Sequence, residues 1–284
     1  MPPPRALSLR LLDALLYSSV WLAAAAAAQT VAVLHGLPGG FGPAGWQAAA
    51  LIFAVTLLTY NLDAALPFKH RQPVGTSGRK AWQHRHRWGL AALAGAAALG
   101  GGVLLLLGGW LHYLPLLLPL AALALGYSLP LLPWHGRWRA VREVPLLKVF
   151  LIGGVWSAVT VGLPALALHR PLAPLAGLLA QRFCLVSALA IVFDIRDFSR
   201  DRLTNLRTMP VVLGLAGAKA VALALLAASV AVGLGRGAPP LVVLVPSVVA
   251  AWVIAVAHDT RGDYFFALVA DGVLLVQAAA VLLL

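Results

Sequence analysis

Apolar runs and short polar breaks alternate along the whole chain. Nine runs can be marked, near Leu11 to Leu34, Trp46 to Leu66, Trp88 to Gly108, Leu114 to Leu129, Leu147 to Leu168, Pro174 to Asp194, Pro210 to Gly233, Pro239 to Ala257 and Tyr264 to Leu284, each ending in Gly, Pro or charged residues. A helix needs about 20 apolar residues to cross the hydrocarbon core, so runs of this kind predict membrane spans. They lack the short alternation of barrel strands, and inside lipid each backbone group must be paired within its own segment. The expected fold is an all-α, polytopic membrane bundle of about nine transmembrane helices. No long polar stretch separates the runs, so residues 1–284 are expected to form a single transmembrane domain.

Composition agrees with that solvent: 61% of the 284 residues are hydrophobic and 11% charged, too apolar for a water-exposed surface. The formal charge of +12 does not indicate nucleic acid, because Lys and Arg are divided among short loops instead of forming one stripe. Lys69, Arg71, Arg79, Lys80, Arg85 and Arg87 follow the second run. Arg137, Arg139, Arg142 and Lys148 follow the fourth, and Arg196, Arg200, Arg202 and Arg207 the sixth. The alternate loops hold Arg170 and Arg236 alone. The positive-inside rule then puts the basic loops, with the amino terminus, in the cytoplasm of a bacterial-type inner or plasma membrane. Arg5, Arg10 and the alanines Ala23 to Ala28 give the first run some likeness to a cleavable signal peptide, but its length and Asp13 favour a retained helix. Cys184 lies alone in an apolar run, which excludes a disulfide framework and a cysteine-built metal site.

The acids are few and clustered. Of nine, three fall in Asp194-Ile-Arg-Asp197-Phe-Ser-Arg-Asp201, at the cytoplasmic end of the sixth run. Continued as a helix, this spacing puts the three carboxylates on one stripe. Their repulsion is relieved either by Arg196, Arg200 and Arg202, as a salt-bridged helix end, or by a divalent metal such as Mg²⁺. The matching end of the second run carries Thr59-Tyr60-Asn61-Leu62-Asp63, ended by Pro67, where Asn61 and Asp63 serve either as caps or as site residues.

At these two places the chain resembles the UbiA superfamily of intramembrane prenyltransferases, which has nine helices and two aspartate-rich motifs. Asp194, Asp197 and Asp201 match its D-x-x-D-x-x-x-D pattern. Thr208-Met-Pro-Val-Val-Leu-Gly214 is similar to its T-x-P-x-x-x-G continuation, and Tyr127-Ser128 to its Tyr-Ser before a basic loop. The first motif, N-x-x-x-D-x-x-x-D, departs: counting from Asn61, Ala65 and Lys69 stand where the aspartates belong, with Asp63 out of register. The resemblance implies a UbiA-like bundle that transfers an isoprenoid group from a prenyl diphosphate to an acceptor. It further implies Mg²⁺ on Asp194, Asp197 and Asp201 as catalytic residues, and Asn61 facing them. Convergent positive charge for the diphosphate is sought in Lys69, Arg71, Arg137, Arg139 and Arg142, with Asp63 and Tyr127 beside the substrate. The loss of two acids keeps a non-catalytic binder of isoprenoid lipid or diphosphate in view.

A transporter, the third reading, needs ionisable groups at depth. Arg182, Lys219 and Asp271 qualify, and the similar depth of Lys219 and Asp271 predicts an ion pair between them. Trp82-Gln-His84-Arg-His86-Arg-Trp88 reads as an interface anchor in preference to a metal or phosphate site. Asp259, Arg261 and Asp263 belong either to a cavity mouth or to a solvated loop.

Overall fold

The structure is a computed structural model that describes residues 6–65, 77–126, 130–134, 137–140, 146–204 and 206–284. Its first apolar run is two helices, α1 (Leu7–Tyr17) and α2 (Val20–His35), bent by 57° at their junction. Ser19 takes a left-handed conformation there, at φ 62°. The next helix, α3 (Pro43–Ala65), explains why the break holds. The side-chain amide of Asn61 donates to Ser18 O and to Leu57 O, both at 2.8 Å, and so pairs a carbonyl that the break leaves outside the helical ladder. A single helix over Leu11 to Leu34 is thereby corrected to a hinged pair.

A short helix absent from the sequence reading, α4 (Gly78–Arg85), precedes α5 (Arg87–Leu107). A 3₁₀ turn at Trp110–Tyr113 leads into α6 (Leu114–Gly126), and β1 (Pro130–Trp134) pairs with β2 (Arg137–Ala140) as an antiparallel hairpin. The hairpin was not anticipated; it sits in the basic loop after the fourth run and leaves the fold helical. Then α7 (Leu147–Ser157) passes through a π turn into α8 (Leu163–Ala167), forming one span.

The second half runs α9 (Ala176–Arg196), the short α10 (Phe198–Leu203), α11 (Met209–Gly235), α12 (Pro240–Val256) and, after a π turn at Phe265–Ala270, α13 (Asp271–Leu283). Gly214 interrupts α11 at φ 72° and ψ 168°, a backbone state that is essentially confined to glycine. The Thr208-to-Gly214 stretch thus builds a short helical step before the main span.

All nine apolar runs contain helix. By length and composition the described residues include six spans, or seven with the bent pair; α12, at 17 residues, is shorter, and so is α6, at 13. Neighbouring helices follow the order α9, α11, α12, α13, α2, α3, α5, while α7 packs on the other side of α9 and α8 against α2 and α3. Close approach rests on small side chains, among them Ala25, Ala48, Ala188, Ala218, Ala222 and Ala250, all fully buried. Lipid gives apolar faces no reason to leave it, so such packing contacts carry much of helix association. Outward-facing leucines such as Leu99 and Leu107 remain open to the bilayer.

Candidate active site

Asp194 comes from the last turn of α9, in the most deeply packed helix, and is 1% exposed. A lone carboxylate there would be very costly, and Lys148 at the start of α7 meets it at 2.6 Å. The helix then falters at Asp197, with φ −91° and ψ 4°, before resuming as α10. Asp197 accepts from Arg196 Nε at 3.1 Å and Nη2 at 2.9 Å. The same guanidinium lies 5.2 Å from the Phe193 ring and 5.9 Å from that of Phe266, so it is fixed by aromatic faces as well as by charge.

Asp201 sits one turn on, nearly buried, its N–H donating to Asp197 O at 2.8 Å. The expected single helical stripe is therefore interrupted at Asp197, yet the three acids remain within electrostatic reach of one another. Burial, with the Asp197 and Asp194 charges beside it, pushes the Asp201 carboxyl up to about 6. Burial pushes Asp197 up as well, but Arg196, helped by Lys148 and Lys80, outweighs it and holds that carboxyl down at about 2. Adjacent acids thus have opposite tendencies: Asp197 is a fixed anion, and Asp201 exchanges protons near neutrality.

More positive charge arrives on α4. Its first turn is held by Asp263, from the loop before α13, which accepts from Ser77 Oγ at 2.9 and 3.0 Å and from Arg79 N–H at 2.9 Å. This is helix capping supplied by a distant segment, and the acid also suits the positive end of the helix. Along the helix, Trp82 meets Tyr17 edge-on at 6.0 Å, Tyr17 stacks on Tyr264 at 5.9 Å, and Gln83 Nε2 donates to Tyr17 O at 3.0 Å. The Tyr264 hydroxyl in turn donates to Asp13. So docked, α4 brings Arg79 within electrostatic reach of Arg196, Asp271, Asp263 and Asp197, and Lys80 within reach of Arg200, Asp197, Arg196 and Asp201.

The residues expected from the sequence are distributed unevenly. Asp194, Asp197 and Asp201 share the site. Asn61 spends its amide nitrogen on the α1–α2 break, while its buried Oδ1 has no partner among the described residues. Asp63 is half-buried near the end of α3. Arg137 and Arg139 belong to β2. Lys69, Arg71, Tyr127 and Arg142 lie outside the described residues. Arg196, expected as one of the cations beside the acids, is paired with Asp197, whereas sequence reasoning missed Lys148, Arg79 and Lys80 as site cations, having counted them as loop charges. Asp263, assigned to a cavity mouth or solvated loop, is a helix cap, and Trp82 is a tertiary contact, whereas Trp88 is 76% exposed as an interface anchor would be. The expected Lys219–Asp271 pair is not formed among the described residues: Lys219 donates to Ala255 O at 2.7 Å, and Asp271 has Arg79 and Arg196 near it.

Among the described residues no three His, Cys, Asp or Glu side chains stand close enough to hold a metal together. Two of the three motif carboxylates are engaged by Lys148 and Arg196. The donor chemistry nevertheless suits Mg²⁺, which needs one or two carboxylates when phosphate and water complete its shell. Asp201, buried and not engaged by Lys148 or Arg196 as the other two are, fits that partial role; a three-carboxylate cage does not.

No family model matches the sequence, and no curated protein is similar to it. Solved structures are similar in fold. The apo structure of a UbiA homolog from Aeropyrum pernix K1 superposes with a TM-score of 0.61 at 22% identity, covering 92% of this chain and 96% of that one. A digeranylgeranylglyceryl phosphate synthase of membranes gives 0.56 at 12% identity, covering 97% and 100%. The chain has the UbiA-type membrane fold over nearly its whole length.

Proposed function

We propose that this protein is a membrane prenyltransferase that binds a prenyl diphosphate at the end of the bundle bearing Asp194, Asp197 and Asp201, and transfers the prenyl group to an acceptor. The observation that carries the reading is the meeting of Arg79, Lys80, Lys148 and Arg196 with three acids at one end of an apolar bundle of UbiA type. The apolar tail has the helices for solvent, and the diphosphate has the cations.

In the transfer, the C1–O bond of the prenyl diphosphate breaks and the diphosphate leaves with the electron pair. The acceptor bonds to C1 and loses a proton. Departure is slow unless the growing negative charge is met in place. Arg79 and Lys80 supply that charge from α4, and Asp197 keeps Arg196 oriented through its two hydrogen bonds. Lys148 neutralises Asp194 until a stronger cation competes for it. Mg²⁺, when bound with Asp201 and the diphosphate oxygens, would add to this neutralisation. Lys69, Arg71, Arg137, Arg139 and Arg142 remain proposed additional contacts for the diphosphate, with Tyr127 and Asp63 beside it. By the positive-inside rule this end is cytoplasmic.

A second reading, binding without turnover, is favoured by the engagement of Asp194 and Asp197 with protein cations and by Ala65 and Lys69 in the first motif. One experiment separates the two. Binding of farnesyl and geranylgeranyl diphosphate is measured with and without Mg²⁺ for the wild type, Arg79→Met and Asp197→Asn, and released diphosphate is then assayed with mixed acceptors. Release lost in both variants supports the transferase; binding weakened about tenfold or more in both variants, with no release from any, supports the binder. Binding that neither variant weakens would overturn both.

A further inference from the structure

The end of the bundle opposite the aspartate motif contains a buried charge with no acidic partner among the described residues. Arg182 lies in the second turn of α9 and is 2% exposed, and its Nε and Nη1 have no hydrogen-bond partner among the described residues. The charged group that acts on it is another cation, Arg236, from the residue that ends α11. Between them stands Gln181, whose Oε1 accepts from Arg236 Nε at 3.1 Å and whose backbone carbonyl accepts from Ser229 Oγ at 2.9 Å. A β-carbon on Gly233 would lie 2.6 Å from Gln181 Nε2, so the amide is seated directly against the α11 backbone.

An arginine stays protonated even when buried, so its unmet N–H groups and its charge both require an acceptor. By sequence, no acidic side chain of the protein falls on this side. All nine of its acidic residues, Asp13, Asp63, Glu143, Asp194, Asp197, Asp201, Asp259, Asp263 and Asp271, belong by sequence to the motif end of their helices or to the loops on that side. The helices carry Arg182 and Arg236 to the far side, where α9 begins and α11 ends. Arg182 is about 9 Å in from the first residue of α9, and Arg236 is at the exposed rim. A guanidinium at the surface leading to a second one inside, with the positive N-terminal end of α9 beside them, is an arrangement for an oxyanion.

We propose that Arg182 and Arg236 form a phosphate-binding site at the bundle end remote from the aspartates, and that the phosphate is a membrane lipid headgroup. Phosphate offers the acceptor oxygens that Arg182 lacks and a negative charge for both guanidiniums, and bilayer lipid brings it to the ends of membrane helices. Bound there, the lipid ties α9 to α11, the helix pair with the most extensive mutual packing in the fold.

The test uses the full-length protein, purified in a neutral detergent and stripped of lipid. Thermal stability and native mass spectra are followed as phosphatidylglycerol, inorganic phosphate or a diacylglycerol is added, for the wild type, Arg236→Gln and Arg182→Gln. Phosphatidylglycerol is expected to raise the wild-type melting temperature and to remain bound in the mass spectrum. Its apparent affinity should fall about tenfold or more in either variant, and diacylglycerol should do nothing. Stabilisation by inorganic phosphate at similar concentrations, lost in the variants, would keep the phosphate site and overturn its lipid origin. Equal lipid affinity in wild type and Arg236→Gln would overturn the site itself. Arg236 is exposed, so that variant decides the matter even where Arg182→Gln folds poorly.

Discussion

Asp197 and Asp201 are four positions apart and have the same side chain, but their environments send them in opposite directions. Arg196 grips Asp197 by both oxygens, while Asp201 is buried beside two other carboxylates and pushed up to about 6. Raised above its ordinary value, Asp201 favours its protonated form in the folded protein, so metal-free stability should decline as pH rises from about 4 through about 6. A cation that binds the ionised form has the reverse dependence. Mg²⁺ binding, followed by its effect on the melting temperature, is expected to be about tenfold weaker at pH 5 than at pH 7, and Asp201→Asn should flatten that profile. A wild-type affinity that does not change over this interval would count against Asp201 as the exchanging group. Spacing made this cluster legible in the sequence. It offered Arg196 as a partner for the acids but could not show that Lys148 would claim Asp194, because Lys148 is 46 positions from its partner and its pairing depends on how α7 packs against α9.

Among the elements, the long apolar helices were legible because hydrocarbon leaves the backbone no alternative, and every marked run contains helix. The short ones were not. An eight-residue helix has too few internal bonds to hold itself, so α4 exists by virtue of Asp263 at its start and of Tyr17, itself stacked on Tyr264, against Trp82, none of them near it in sequence. The bend between α1 and α2 was hidden for a like reason, since Asn61 on another helix stabilises it. Asp263→Ala removes the acceptor for two donors, the Ser77 hydroxyl and the Arg79 N–H, at the start of α4. It is expected to release the helix, which tryptophan emission would report as a red shift when Trp82 leaves Tyr17, and to weaken prenyl diphosphate binding as Arg79 and Lys80 move away. Unchanged emission together with unchanged binding would mean that α4 is held without its cap.

At the level of the whole molecule, charge is divided between the two ends of the bundle. The acids and most of the basic loops share one end, and Arg170, Arg182 and Arg236 occupy the other. The orientation this implies can be read by labelling. In a Cys184→Ser background, Thr260→Cys should react with a membrane-impermeant maleimide only after the cell is opened, and His169→Cys should react in intact cells. The opposite pattern would invert the assignment of the two sides. The UbiA-type fold was foreshadowed by about two dozen residues around the motifs, while the hairpin after α6 and the glycine step in α11 became visible only in three dimensions.

The cap on α4 also has a consequence in time. Asp263 follows Arg79 by 184 positions and precedes only the last span, so a chain emerging from the ribosome makes the basic helix long before it makes the residue that fastens it. Until then the bundle can assemble around an apolar interior with Arg79 and Lys80 still unfastened. The cationic half of the site is therefore completed by the final insertion step, and a chain that stops short of it has the acids without the helix that answers them.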